Sequence, residues 1–209
     1  MYINDYFHTP IWSEQKPEFV KSLNKVSNKY IKEARKKNKD YIKQFGDFGT
    51  SHHSTPLTQD NNFLDFRNYV GQKSWEFLDQ MGYDMNLYQT MFSEMWVQEF
   101  SKKGGGHHSA HIHFNQHVSG LYFLKCSDKT SNPVFHDPKT GARATKLTMK
   151  PKQGILAGTD LVHFKPTPGT LIIFPGYLEH EFSVDHGLEP FRFIHWNIQA
   201  IPKGMAKGV

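Results

Sequence analysis

Apolar and polar positions follow two rhythms along this chain, and the change falls near Met81-Gly82. Before it, Phe19, Leu23, Val26, Tyr30, Ala34 and Tyr41 recur near helical spacing with lysines between them. Pro17 stands where a first helical turn tolerates a missing N–H. Phe63, Phe66, Val70, Phe77 and Leu78 mark the buried stripe of a second helix, with Asp60 as its N-cap. Gly46 and Gly49 punctuate the interval, and Ser51 to Leu57 reads as a polar loop. Residues 1–15 read as an edge strand and turn. After residue 82, short runs rich in aromatic and branched side chains take over. Residues 91–100, 118–124, 147–150, 170–174 and 191–198 are predicted strands, with Gly, Pro, Asn and Asp in the gaps. Helices first and many short strands afterwards predict an α+β fold. N-terminal helices would pack on one sheet of an antiparallel core, closed or double-sheeted as in a jelly roll, which hides strand edges. With no repeat and no long linker, residues 1–209 read as one domain, mainly helical over 1–90 and β over 91–200.

Composition narrows the classes. No apolar run approaches the roughly 18 residues of a membrane span. The start, Met1 to Phe7, lacks the basic and apolar stretches of a signal peptide. The lone Cys126 allows no internal disulfide, which suits a reducing compartment. A cytoplasmic location is therefore expected. The net charge of +5 is local: Lys21 to Lys43 holds nine Lys/Arg against Glu33 and Asp40, a net of +7, and the rest sums to −2. Such a run reads as a solvated helix face. Without an aromatic-basic stacking platform, nucleic acid is disfavoured as a partner.

The chemistry gathers in the second half. His111-Ile112-His113 precedes the run 118–124, and residues i and i+2 of a strand share a side. His180 follows the run Thr170 to Phe174 after a short turn, so it would approach from a neighbouring strand. Three imidazoles on one face leave coordination positions open, as a non-haem Fe(II) oxygenase requires. A single histidine is more often a surface or core residue, and this chain has 13; pairing and context carry the reading. His107 and His108, after Gly104-Gly105-Gly106, read as residues of a flexible loop or substrate contacts. Arg192 shares a strand face with Ile194, Trp196 and Ile198, where a buried cation needs a partner. A carboxylate ligand bound bidentately would supply one; a structural ion pair and an outward-facing arginine are the bland alternatives.

The order Trp96, His111-x-His113, Ser119-Gly120, Tyr122, Phe174-Pro175, His180, Arg192 and Asn197 resembles the Fe(II)/2-oxoglutarate-dependent oxygenase superfamily. More narrowly it is similar to the 2-oxoglutarate/Fe(II) oxygenases of marine bacteria and their phages, along nearly the whole chain. For a phage-encoded protein, cytoplasmic would mean the host's cytoplasm. The resemblance implies a double-stranded β-helix core, cupin-like, with Fe(II) held by His111, His113 and His180. It also implies 2-oxoglutarate as co-substrate, its far carboxylate on Arg192, with the Tyr122 hydroxyl or merely its buried ring nearby. The activity implied is hydroxylation of a peptidyl or small-molecule substrate, with succinate and CO2 as co-products. One departure matters: the superfamily's usual His-x-Asp or His-x-Glu is His-x-His here, so His113 replaces the carboxylate or Asp137 stands in for one histidine. Two other readings remain at this point. One is a cupin-like three-histidine metal enzyme without a keto acid, and the other is a non-enzymatic binding protein on the same shell.

Overall fold

In the computed structural model, which describes residues 6–150 and 154–204, ten strands form two antiparallel sheets. The larger runs β1 (Trp12–Gln15), β8 (Thr170–Pro175), β5 (Val118–Lys125), β10 (Arg192–Pro202), β3 (Tyr88–Phe100), β2 (Ser51–His53). The smaller runs β4 (His108–His111), β9 (His180–Phe182), β6 (Pro133–His136), β7 (Leu161–His163). From β3 onward the chain passes back and forth between the sheets. Of the helices α1 (Val20–Lys37), α2 (Lys39–Phe45), α3 (Leu64–Gln80) and α4 (Thr140–Ala144), α1 and α3 cover one face of the larger sheet.

Strand alternation divides the core in two. Leu23 and Ile31 of α1 and Phe66, Val70 and Phe77 of α3 pack on Val97, Tyr122, Ile194 and Trp196. The opposite face of the same strands sends Phe100, Leu121, Phe123, Phe174 and Phe193 toward Phe135 and Phe182 of the smaller sheet. Each sheet residue thus belongs to the helix layer or to the space between the sheets according to its parity. Gly120 marks a place where this layering needs an absent side chain: a Cβ there would stand 2.0 Å from the indole of Trp196. The indole N–H of Trp196 in turn reaches the buried Ser74 Oγ of α3 at 3.4 Å.

The helices follow the expected pattern, and Asp60 does accept from Asn62 N at 2.8 Å as the second helix begins. The basic run lies on α1 and α2, outward except for Arg35, which turns toward Glu99 and Asp47. Two strand expectations need correction. Residues 147–150 form no strand, since Leu147 is exposed and pairs with nothing. Ser51–His53, read as loop, pairs with β3 at the sheet edge. The edge strand expected over 1–15 begins at Trp12; its first five residues lie outside the described ones.

Candidate metal centre

His180 opens β9 and faces His111, the last residue of β4, across the sheet ladder. His113 lies just beyond β4, in the turn that leads to β5. Its backbone N–H donates to Gly176 O at 2.9 Å. A Cβ on Gly176 would sit 2.3 Å from Gln116 O, so glycine lets the two turns meet there. One ring nitrogen from each of His111, His113 and His180 falls within 4.8 Å of the others. The Nε2 atoms of His113 and His180 are 3.3 Å apart. Two nitrogens about 2.1 Å from a common metal, at right angles, would be about 3 Å apart, so the spacing suits cis ligands.

The outer nitrogens fix two of the rings. His180 Nδ1 donates to Leu178 O at 2.9 Å, and His111 Nδ1 donates to Ser109 O at 2.7 Å. A proton on Nδ1 leaves the Nε2 lone pair for a metal. Burial keeps the His180 and His113 imidazoles neutral. It pushes His180 down to about 3, against the hydrogen bond to Leu178 and with the help of neighbouring histidine charge. His113 is pushed down to about 4 by burial and then by His111. The third ring has a different partner: His113 Nδ1 lies 3.0 Å from Asn197 Nδ2. Asn197 Oδ1 accepts from Ser119 Oγ at 2.5 Å, and its amide also donates to Glu94 at 2.9 Å. Were His113 Nε2 to hold a metal, that ring's proton would sit on Nδ1 and need an acceptor. Rotation of the Asn197 amide would offer its oxygen, in exchange for the bond to Glu94.

Neither co-substrate residue lies with the histidines. Arg192 faces the helix layer, where Nε and Nη2 donate to Glu99 Oε2 at 2.8 and 2.6 Å and Nη1 donates to Asn28 Oδ1 at 2.8 Å. Arg35 completes the cluster on Glu99 Oε1 at 3.1 Å. Burial raises the Glu99 carboxyl, but Arg192 and Arg35 outweigh it and hold the carboxyl below its ordinary range. The structural ion pair is therefore the reading that fits Arg192. Tyr122 faces the same way, its hydroxyl donating to Lys16 O at 2.6 Å against the Phe66 ring. Asp137 is not grouped with the histidines; its carboxylate accepts from Lys139 N at 3.0 Å in a turn.

Sequence reasoning passes over His195. Its ring stacks on His113 with centroids 4.7 Å apart, and Trp96 lies 4.5 Å away on the other side. It is buried, its Nε2 has no hydrogen-bond partner, and burial drives its pKa well down. Parity is the available signal, since residue 195 shares a strand face with Asn197. His108 also belongs inside: it contacts Gln98, packs on Phe182 and Phe193, and is pushed down to about 3, chiefly by burial. The loop before it is pinned, with Gly105 N donating to Asp185 O at 2.7 Å and Asp185 N to Gly106 O at 2.8 Å.

Two facing antiparallel sheets with three histidines converging on one point make a candidate metal centre, and comparison with known proteins gives its context. Residues 94–190, which include all three histidines, match the family described as "Putative 2OG-Fe(II) oxygenase", and over that segment the chain is similar to it. That family is named for Fe(II) and 2-oxoglutarate, and the three-histidine cluster fits the iron. No curated protein matches the chain. Among solved structures it is similar to AviO1 from Streptomyces viridochromogenes Tue57, at 11% identity, covering 91% of this chain and 90% of that one with a TM-score of 0.57. A prolyl-4-hydroxylase from Pseudomonas putida matches at 11% identity over 91% and 93%, TM-score 0.54. The viral collagen prolyl hydroxylase of Paramecium Bursaria Chlorella virus-1 matches at 13% over 96% and 98%, TM-score 0.53. These likenesses establish the shared fold.

Proposed function

We propose that this chain is an Fe(II)-dependent dioxygenase that hydroxylates a C–H bond of a peptidyl or small-molecule substrate. The observation that carries the reading is the convergence of the His111, His113 and His180 nitrogens, with Nδ1 of His111 and His180 already committed to backbone carbonyls. The passage of the chain between two four-strand cores, β3-β10-β5-β8 and β4-β9-β6-β7, supports a double-stranded β-helix. Iron held there would supply activation of O2 for attack on an unactivated C–H bond. The chain's own contribution is to keep His113 and His180 neutral and the rings oriented, and to exclude water with Phe135 and Phe174, whose rings lie 6.1 and 4.7 Å from His180. Exposed Ile112 and Phe114 bracket His113 at the mouth, an apolar rim that suits a peptide or an organic metabolite. The prolyl hydroxylases among the similar structures favour the peptidyl side of that choice. A half-buried free Cys126, its thiol pushed up to about 12 by burial, fits a reducing cytoplasm.

The residues present fit iron well and 2-oxoglutarate only at its chelating end, because Arg192, the only buried Lys or Arg among the described residues, turns to the helix layer. The same observation favours a second reading, a cupin-like three-histidine enzyme that uses no keto acid. His180→Ala is expected to lower Fe(II) affinity at least about tenfold and to abolish turnover. Unchanged Fe(II) binding by that variant would refute the ligand assignment. Formation of succinate in step with substrate oxidation separates the dioxygenase from the cupin-like enzyme.

A further inference from the structure

Strand β10 presents two chemically opposite rows. Arg192, Ile194, Trp196 and Ile198 face the helices, whereas Phe193, His195 and Asn197, preceded by Phe191, face the space between the sheets. The pairing of β10 with β5 shifts between Arg192 and Phe193, yet Arg192 stays on the helix side. Among the described residues, Arg192 is the only buried Lys or Arg, and Glu99 and Asn28 occupy its guanidinium. Lys125 approaches the same Glu99 at 3.9 Å. Arg143 is engaged by Glu179 at 2.5 Å, next to His136, on the outer side of the smaller sheet.

On its inner side the metal site is backed by rings packed on one another. Phe182 and Phe193 stack at 4.6 Å, Phe191 lies 5.5 Å from Phe193, and Phe100 lies 6.0 Å from Phe182. The polar groups among them are His195, whose Nε2 has no partner, and the His108–Gln98 contact; none is a Lys or Arg. A carboxylate pressed against these rings would shed its water and meet no Lys or Arg. An apolar tail would lose water at no such cost and gain contact with the rings.

We infer that this site binds 2-oxo acids by their chelating end alone, without an anchor for a second carboxylate, so that 2-oxo monocarboxylic acids with apolar tails serve it as well as 2-oxoglutarate. The inference rests on the keto acid reading given above and narrows its co-substrate. In the anaerobic Fe(II)-loaded protein, the metal-to-ligand charge-transfer band is followed during titration with 2-oxoglutarate. A separate titration uses 2-oxopentanoate, which has the same chain length but no far carboxylate. The two dissociation constants are expected to agree within about threefold, or to favour 2-oxopentanoate, whereas a buried guanidinium anchor is worth about tenfold or more. A larger preference for 2-oxoglutarate overturns the inference while leaving the dioxygenase reading intact, with His195 Nε2 as the group to suspect. No band with either acid, in protein that demonstrably binds Fe(II), sinks the keto acid reading itself and the inference with it.

Discussion

Asn197 joins three side chains that matter to the site: Ser119, Glu94 and His113. Its role is to position His113. Asn197→Ala is expected to weaken Fe(II) binding by about 10–100-fold, the usual effect of removing a ligand's outer partner. Asn197→Asp, which keeps an acceptor, should recover part of that loss, and the fold should persist in both. An Fe(II) affinity equal to wild type in the alanine variant would leave Asn197 a packing residue. Glu99 carries the opposite kind of burden. Removing it strands the buried Arg192, so Glu99→Ala is expected to cost about 3–5 kcal/mol of stability, read as a lower denaturant midpoint. The amino-acid pattern discloses that Arg192 shares a face with Ile194, Trp196 and Ile198, and it does. What the pattern does not disclose is which layer that face meets. Arg192 and Asn197 are five residues apart, so on one strand they have opposite parity, and both could not serve the metal. That conflict is legible in the spacing alone.

At the scale of elements, the long strands and both main helices are legible because each carries a full period of pattern. The smaller sheet is not: β4, β6, β7 and β9 are three or four residues each, too short for alternation to show. Their positions come from pairing with one another and from glycines that let turns approach. Gly176 is the sharpest case. Gly176→Ala drives a Cβ onto the Gln116 carbonyl and disturbs the turn holding His113. The expected result is a loss of about 1–3 kcal/mol together with weaker metal binding. A variant as stable as wild type with full Fe(II) affinity would show that the two turns have slack.

The molecule as a whole carries its neutral histidines as a pH liability. His108, His113 and His180 have folded pKa values of about 3, 4 and 3, against about 6.5 in an unfolded chain. The unfolded chain therefore takes up protons first as pH falls. Their contribution to stability is complete above about pH 6.5 and is lost progressively below it, toward pH 4 to 3. Metal-free protein held in chelator should lose thermal midpoint between about pH 6.5 and 5, before most carboxylates titrate. Bound Fe(II) should shallow the slope, since it holds the same nitrogens unprotonated. A flat midpoint across that interval in the chelated protein would contradict the burial assigned to these rings. The basic helix run contributes little at this scale; apart from Arg35 its charges stand in solvent, where exposed pairs are worth under about 1 kcal/mol.

The two-faced β10 has a consequence for how this chain tolerates change in length. Residue identity along it is read in alternation, so one inserted or deleted residue inside the strand exchanges every assignment beyond that point. With the change just after Arg192, the aromatic wall would turn to the helices and the indole that Gly120 accommodates would lose its seat. Substitutions in this strand degrade one property at a time, whereas a single-residue change in length would strike metal centre and helix layer together. Drift by insertion is thus closed to β10 and left to segments such as 145–150, where no ladder counts the residues.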